Sequence, residues 1–459
     1  MGFINNSQQA AGQKEKTSTS STRSRLVGFL FSVNYTYNNV YLLDVSYRLD
    51  GSSEFGSNKR FAPFWSVGLG LNAHNYQWFE NPVVSTLRLR ASYGYTGKVN
   101  FPPSAVETTY ETDTKNWYYS GPAAYLISLG NPNLKWETTH TLDYGFNLGL
   151  LNDKLQLNFS GYRKKTVDAI DKMSIRTSSG FKDMRSNVGT VENVGVEFSL
   201  SATLYQRKDW YVSVTANLAH NKNEISKLGE DAEKYNEQLN ENYNEPSEEY
   251  AELAKIPLRK YHEGNSTTAL YVVPSLGIDP SSGQEIYVKR DGSLTFTYDG
   301  ADQVCFGDTN PKASGALSFN LTWKGIYVSA NFSYQWGAKL YNQTLASKVE
   351  GALIESGNVD KRILTERWLR PGDKVPYVKL RSKEVNPTSR FVQDNNFVQF
   401  AGLSAGYDFP YEWVDKLRLN SLGVRFNAND ICRWATSKEE RGLSYPFART
   451  FSFSLNVGF

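Results

Sequence analysis

The 459-residue sequence has no apolar run close to the roughly 20 residues that a membrane-spanning helix requires. A helical membrane protein is therefore excluded. A transmembrane β-barrel is not excluded, because its strands alternate apolar and polar side chains and average out as hydrophilic. The mean hydropathy of −0.50 is compatible with such alternation.

Cysteine is also scarce, since Cys305 and Cys432 are the two in the chain and form neither a CxxC nor a metal-ligand spacing. Two separate thiols are the simpler interpretation, although a disulfide in an oxidising compartment stays open. Neither sign of charge predominates: 50 basic and 47 acidic residues leave a net charge of +3. This balance gives no electrostatic footprint for nucleic acid, so we expect no such partner.

Catalytic and cofactor motifs are missing as well. The chain has no HExxH, no GxSxG, no Walker A and no GxGxxG in a strand–helix setting. Asp279 and Asp291 lie in a Gly/Pro-containing stretch, where a turn explains them better than a cation site. We therefore predict no enzymatic activity, no cofactor and no metal site. Four histidines are scattered along the chain: His74, His140, His220 and His262.

The polar stretch 1–25 is rich in Ser, Thr, Gln and Lys and contains nothing like the apolar centre of a secretory signal peptide. We expect a disordered or loop segment there. Its polarity conflicts with any protein that must be exported, unless the chain is part of a longer product.

What the sequence has in abundance is strict alternation of apolar and polar residues, together with 14% aromatic residues. In the last segment, Phe451, Phe453, Leu455, Val457 and Phe459 share one face, while Ser, Asn and Gly occupy the other. Because successive side chains on a strand point to opposite sides, each such segment has one apolar and one polar face. The polar faces are mostly uncharged, which is typical of a wet barrel lumen and unlike the Lys- and Glu-rich faces of soluble sheets.

About 14 such segments are present, near 25–37, 40–50, 62–73, 86–97, 136–150, 153–165, 190–204, 209–221, 313–323, 325–338, 396–408, 415–427 and 448–459, with a weaker one near 266–274. Short turns alternate with long connections, the arrangement of periplasmic turns and extracellular loops in outer-membrane barrels. The long connections are 98–135, 166–189, 222–312 and 339–395. The acidic part at 222–262 is interpreted as a solvated loop with a short helix near 251–254. The sequence thus predicts an all-β protein, a transmembrane antiparallel β-barrel over 26–459 with long extracellular loops.

Several stretches resemble the SusC/RagA class of TonB-dependent transporters of Bacteroidetes, and they occur in family order. They are YRLDGSSEFGSNKRFAPFWSVGLG (47–70), LRLRASYGYTGK (87–98), NPNLKWETT (131–139), NVGTVENVGVEFSL (187–200), GIDPSSG (277–283), GDTNPKASGALSFNLTWKG (307–325), RWLRPGDKVP (367–376), SRFVQDNNFVQFAGLSAGYDFP (389–410) and YPFARTFSFSLNVGF (445–459). The stretch 427–442 departs from the family pattern.

The resemblance implies a barrel of about 22 strands with a plug domain in its lumen. We therefore expect the chain to be the C-terminal part of such a barrel, without the plug and the first strands. That expectation also accounts for the missing signal peptide. The final motif resembles the signal read by the barrel-assembly machinery, and its strand is expected to close the barrel. The residues assigned to this role are Tyr445, Phe451, Phe453, Leu455, Val457 and Phe459.

The function implied by the resemblance is import of oligosaccharides or peptides across the outer membrane. A SusD-like lipoprotein would act as a lid on the long loops, and the TonB complex would act only through the plug, so that this chain is not active alone. No motif identifies a ligand-contacting residue. Two alternatives stay open: a soluble or surface-attached all-β carbohydrate-binding or adhesin-like protein, and a passive outer-membrane pore.

Overall fold

The computed structural model describes residues 25–52, 61–79, 81–98, 108–118, 121–131, 134, 137–174, 181, 183–244, 257–352, 359–380, 385–438 and 449–459. Tyr445 and the predicted short helix at 251–254 lie outside these residues. The strands, numbered along the chain, are β1 (Leu26–Tyr37), β2 (Tyr41–Ser52), β3 (Phe61–Asn72), β4 (Val84–Lys98), β5 (Thr109–Tyr118), β6 (Gly121–Ser128), β7 (Glu137–Leu150), β8 (Leu155–Ser174), β9 (Asp183–Arg207), β10 (Trp210–Leu228), β11 (Ala269–Val272), β12 (Ser275–Ile278), β13 (Glu285–Val288), β14 (Leu294–Thr295), β15 (Val304–Asp308), β16 (Ala313–Trp323), β17 (Ile326–Trp336), β18 (Lys339–Tyr341), β19 (Val392–Asp394), β20 (Phe397–Asp408), β21 (Ser421–Ala435) and β22 (Thr450–Gly458).

Thirteen of these strands form one antiparallel sheet in the order β1-β2-β3-β4-β7-β8-β9-β10-β16-β17-β20-β21-β22. Each strand pairs with the next sheet strand along the chain, so the sheet is a simple meander. The weak segment near 266–274 lies outside it, because β11 pairs with β15 in a separate two-stranded sheet. The remaining strands form small sheets within the long connections.

The tight turns lie at one end of the sheet. Asn38 and Asn39 join β1 to β2 with φ of 51° and 55°, a left-handed conformation that asparagine tolerates well. Lys324 and Gly325 make the equivalent turn between β16 and β17. The other end, called here the long-loop end, carries the connections β4–β7, β10–β16 and β17–β20. The predicted connection 166–189 is wrong in its bounds, because β8 continues to Ser174 and β9 begins at Asp183.

Among the described residues, helices are few and lie in the connections. They are α1 (Glu230–Asn244), α2 (Arg362–Thr365) and α3 (Tyr411–Lys416), with 3-10 turns at Ala73–Asn75, Gly300–Asp302 and Ser389–Phe391 and a π-helical turn at Leu345–Glu350. Across the described residues, none of these helices has both the length and the apolarity to cross a bilayer.

The large sheet keeps its apolar face exposed, as Phe31 at 64%, Leu69 at 60% and Phe453 at 81% exposure show. These side chains do not meet one another across a dry two-sheet core, as a wall that faces lipid requires. Their contact with lipid stays a prediction. Buried apolar clusters occur instead where the connections pack at the long-loop end, one around α1 and one around the π-helical turn.

Candidate functional site

Aromatic residues gather at both ends of the apolar face. At the tight-turn end, the rings of Trp210 and Trp323 stack with their centroids 5.1 Å apart. At the long-loop end, Trp65 lies 5.7 Å from Tyr93, and Tyr334 lies 4.8 Å from Trp336. Two such girdles flanking an apolar band mark the two membrane–water interfaces of a barrel.

The distance between the girdles fits a bilayer. Trp323 pairs with Ile326, and Trp336 follows Ile326 by ten residues (336 − 326) on β17. Ten residues correspond to about 33 Å along a strand and, at a tilt of about 40°, to about 25 Å across the membrane. This matches the height of the apolar band that such barrels present to lipid.

The opposite face of the sheet is bound together by uncharged polar side chains. The Ser46 and Ser66 hydroxyls lie 2.7 Å apart. Farther round the sheet, Ser318 donates a hydrogen bond of 2.7 Å to Asn331, and Ser404 donates one of 2.6 Å to Asn427. This face is therefore a hydrophilic wall.

Arg90 of β4 is a cation on this wall that links three strands. Its guanidinium donates to Asn147 at 2.6 Å and also to Ser160, which lies two strands away on β8. Gly145 on the intervening strand makes that reach possible, because a Cβ there would lie 3.3 Å from Arg90 Nη2. Beside Ser160 is a hollow of ≈ 390 Å³ whose polar lining includes Asn158, Ser160, Glu197, Ser199, Asn217 and Ser314.

The connection between β10 and β16 folds back onto this polar face. Val191 and Ile225 continue the polar-face positions of β9 and β10, and both are buried against Ala232 and Leu239 of α1. Asn223, on the same face, accepts hydrogen bonds of 2.9 Å from the backbone and the hydroxyl of Thr267. The connection therefore covers the upper part of the polar wall. The acidic stretch 222–262 was interpreted from the sequence as a solvated loop, but its part at Glu230–Asn244 is a packed helix.

The two longest connections, β10–β16 and β17–β20, interlock into one unit, here named the loop clasp (257–312 with 337–396). Val273 donates a backbone hydrogen bond to Pro387 and accepts one from Ser389. The Trp368 indole donates to the Pro280 carbonyl at 2.9 Å. Val272 of the first connection is fully buried in the apolar cluster of the second.

A buried ion cluster lies at the centre of the loop clasp. Arg390 donates two hydrogen bonds of 2.7 Å to Glu285 and bonds of 2.7 and 2.8 Å to Glu350. Burial opposes the charge of Arg390, but its bonds to the two carboxylates raise its pKa above the usual range. Arg367, also buried, donates to the backbone carbonyls of Val349 and Glu350.

A second polar cluster joins the loop clasp to β8. The Tyr261 hydroxyl and the Arg259 guanidinium each donate to Asp171 at 2.9 Å. Burial, followed by the charge of Asp171, raises the pKa of Tyr261. Next to it, burial and the charge of Arg290 lower the pKa of Lys260 to about 8. The ammonium of Lys260 donates to Asn240 at 2.5 Å.

The described residues contain no group of three or more His, Cys, Asp or Glu close enough to hold a metal ion. Cys305 and Cys432 are free thiols. Asp279 accepts hydrogen bonds from Ser281 and Ser282, which is the geometry of a turn.

The predicted assembly strand is β22, at one edge of the sheet. Phe451 and Phe453 both contact Phe426 of β21, with ring centroids 6.3 and 4.8 Å away. Its apolar-face residues are exposed: Phe451, Phe453, Leu455, Val457 and Phe459. Among the strands that the structure describes, β22 does not pair with β1, which lies at the other edge. The role of these apolar-face residues in assembly and in closure of the barrel stays a prediction.

An antiparallel meander with an aromatic-bounded apolar face, a hydrophilic opposite face and long connections at one end defines a transmembrane β-barrel of the outer-membrane type. The family model described as TonB dependent receptor-like, beta-barrel matches residues 2–429. The chain belongs to that family, whose SusC relatives are outer-membrane proteins.

Similar proteins support this assignment. TonB-dependent receptor P3 of Formosa agariphila is 27% identical over 95% of this chain and 45% of its own length. TonB-dependent receptor SusC of Bacteroides thetaiotaomicron is also 27% identical, over 95% of this chain and 44% of its own. A solved structure of the RagAB peptide transporter is 25% identical with a TM-score of 0.78, covering 95% of this chain and 48% of that one. The chain thus spans about half the length of the relatives it matches, and its resemblance to the SusC/RagA class is confirmed.

Proposed function

We propose that this chain forms the barrel wall of an outer-membrane importer for oligosaccharides or peptides. The single observation that supports this most is the contrast between the two faces of one sheet. One face carries exposed apolar residues between two aromatic girdles, and the other carries hydrogen-bonded Ser and Asn side chains. A wall with these faces separates lipid from a wet lumen.

The polar face suits hydrated cargo. Its hydroxyl and amide groups both donate and accept hydrogen bonds, and can exchange water for a sugar hydroxyl or a peptide group. Such exchange gives weak contacts of similar strength along the wall, which favour passage over trapping. The relatives named SusC and RagAB peptide transporter support nutrient uptake as the task.

The partners would meet opposite parts of the molecule. A SusD-like lipoprotein would cover the long-loop end, on the predicted extracellular loops 98–135, 222–312 and 339–395. Within the last two of these loops, the loop clasp offers a preformed surface. The TonB complex would act on a plug domain within the lumen of the barrel spanning 26–459.

The first test is membrane fractionation of cells that produce the chain. We expect the chain in the outer-membrane pellet after a carbonate wash. We also expect it to migrate faster when the sample is not heated before electrophoresis, because a folded barrel resists unfolding by detergent. Recovery of a folded monomer from buffer without detergent would instead indicate a soluble β-protein.

The second test is uptake in the source bacterium. Disruption of the coding sequence should abolish growth on one class of polymer, an oligosaccharide or a peptide mixture, while growth on monosaccharide is unchanged. Equal growth on all of them would contradict the import function. Steady conductance of the purified chain in planar bilayers would favour a passive pore instead.

A further inference from the structure

On the apolar face, charged side chains replace apolar ones at the long-loop end of three neighbouring strands. Along β10, the outward positions run Trp210, Val212, Val214, Ala216 and Leu218, and then His220, Lys222 and Glu224. On β8, Phe159 is followed on the same face by Gly161, Arg163 and Lys165. On β9, which starts at the long-loop end, Glu192 lies nearer to that end than Val194, the next residue on the same face. We call Arg163, Lys165, Glu192, Lys222 and Glu224 the charged belt.

The strand register places these residues side by side. Arg163 pairs with Val194, and Val194 pairs in turn with Lys222. One step higher, Lys165 pairs with Glu192, which pairs with Glu224. Adjacent strands lie about 4.8 Å apart, so the belt spans three strands, about 10 Å in all.

Ion pairs within the belt orient the cations but leave their side chains accessible. Arg163 and Lys165 approach Glu192 at 2.8 and 3.7 Å, and Lys222 approaches Glu224 at 2.5 Å. The side chains of Arg163, Lys165 and Lys222 nevertheless remain 62%, 49% and 68% exposed. Three cations against two carboxylates leave one net positive charge.

The height of the belt coincides with the upper edge of a bilayer. Lys222 follows Trp210 by twelve residues (222 − 210), about 40 Å along the strand and about 30 Å across the membrane at a tilt of about 40°. A hydrocarbon core is about 30 Å thick. With Trp210 at the interface of the tight-turn end, the belt reaches the polar headgroups of the leaflet at the long-loop end.

We propose that the charged belt binds phosphate groups of lipid headgroups in the outer leaflet. Arg163 and Lys222 flank Val194, which is 47% exposed and belongs to the lipid-facing wall. A lipid whose acyl chains lie on that wall therefore carries its phosphate up to the cations. This continuity favours a lipid over a free phosphate, which gains nothing from the apolar surface. The inference rests on the proposed placement in the membrane.

The test compares lipid retention by variants of the full chain purified from outer membranes. The belt variant is Arg163→Gln, Lys165→Gln and Lys222→Gln combined. The matched control removes three exposed cations near the tight turns: Lys154→Gln, Arg207→Gln and Lys208→Gln. Each protein is incubated in neutral detergent with phosphorylated lipid A or with its dephosphorylated form, and bound lipid is measured by native mass spectrometry.

We expect the belt variant to retain lipid A about tenfold less than the unmodified chain, because each cation near an anionic lipid surface contributes to binding. The control should bind as the unmodified chain does, and dephosphorylated lipid should bind all three proteins equally weakly. Equal retention by a belt variant that still migrates as a folded barrel would overturn this inference alone. Displacement by an equal concentration of inorganic phosphate would overturn the assignment to lipid. If the unmodified chain never enters the membrane pellet, the proposed function fails and this inference fails with it.

Discussion

Arg390 and Glu285 form a fully paired, buried ion pair: the two hydrogen bonds between guanidinium and carboxylate are 2.7 Å each. Their side chains are 9% and 3% exposed. They belong to different connections, 105 residues apart in sequence. Separating a buried pair of this kind costs free energy, because each desolvated charge would be left without its partner. The two loops are therefore expected to move as one body.

Replacement of Arg390 should open the loop clasp without unfolding the barrel. Arg390→Met leaves Glu285 and Glu350 buried without their common partner, which costs about 3–5 kcal/mol. We expect rapid cleavage of the loop clasp by proteinase K, while the barrel still shows heat-dependent migration. Arg370→Gln is the matched control, because Arg370 is 86% exposed and lies 3.7 Å from Asp373. Exposed pairs contribute only about 0–1 kcal/mol. Equal protease resistance of the two variants would contradict a central role for the cluster.

The stability of the segment around α1 should rise with pH through the titration of Lys260. Burial, and then Arg290, lower its folded pKa to about 8 from the usual 10.5. Between these values the unfolded segment binds a proton that the folded one does not, so stability increases from pH 8 to pH 10.5, by an amount on the order of 3 kcal/mol. Burial lowers the pKa of His262, which therefore titrates below this window.

Hydrogen exchange of the α1 amides at pH 7.5 and pH 9.5, corrected for intrinsic rates, measures this effect. Protection should be higher at pH 9.5 in the unmodified chain. It should be high and independent of pH in Lys260→Met, which has no charge to bury. Lys234→Met, a change at an exposed position on α1, should keep the pH dependence. A pH dependence that persists in Lys260→Met would assign the effect to another group.

Local alternation predicted each strand of the wall, but not all of the bounds. The segment predicted at 415–427 is observed as Ser421–Ala435, because Tyr411–Lys416 forms the helix α3. The segment 448–459 is observed as Thr450–Gly458, and 325–338 as Ile326–Trp336. Each strand pairs with its neighbour in the chain, so period-2 patterning carries almost the whole topology. The 266–274 segment shows the limit of this signal: alternation reveals a strand, but not that β11 pairs with β15 instead of joining the wall.

The loop clasp was beyond prediction for a different reason. Arg390 and Glu350 are 40 residues apart, and nothing in their local sequence indicates that they meet. The helix α1 did leave a signal, since Ala232, Tyr235 and Leu239 recur at helical spacing and are all buried. Acidic residues between them made the stretch look like a solvated loop.

A charge on the apolar face of β22 should prevent insertion, whereas the same charge on the other face should not. Phe453 is 81% exposed near the middle of the strand, and Phe453→Arg would place a cation in lipid at a cost of about 2–4 kcal/mol. Ser452→Arg adds the same side chain on the hydrophilic face, beside Asn427. The fraction of each variant with heat-dependent gel migration measures insertion. Equal fractions would contradict a difference between the two faces, and a lower fraction for Ser452→Arg would mean that the faces have been assigned the wrong way round.

Substitution of Phe459 can distinguish a role in barrel assembly from a role in the stability of the folded protein. This ring is 90% exposed, so Phe459→Ala removes almost no packing within the described chain. We expect the refolded variant to unfold at the same temperature as the unmodified protein, because the loss would fall on recognition by the assembly machinery. In cells, its level in the outer membrane should drop. Phe29→Ala is the control: Phe29 is 65% exposed on β1, at the opposite edge of the sheet. Equal membrane levels of the two variants would remove the assembly role from Phe459, whereas a lower unfolding temperature for Phe459→Ala would make the residue a structural one.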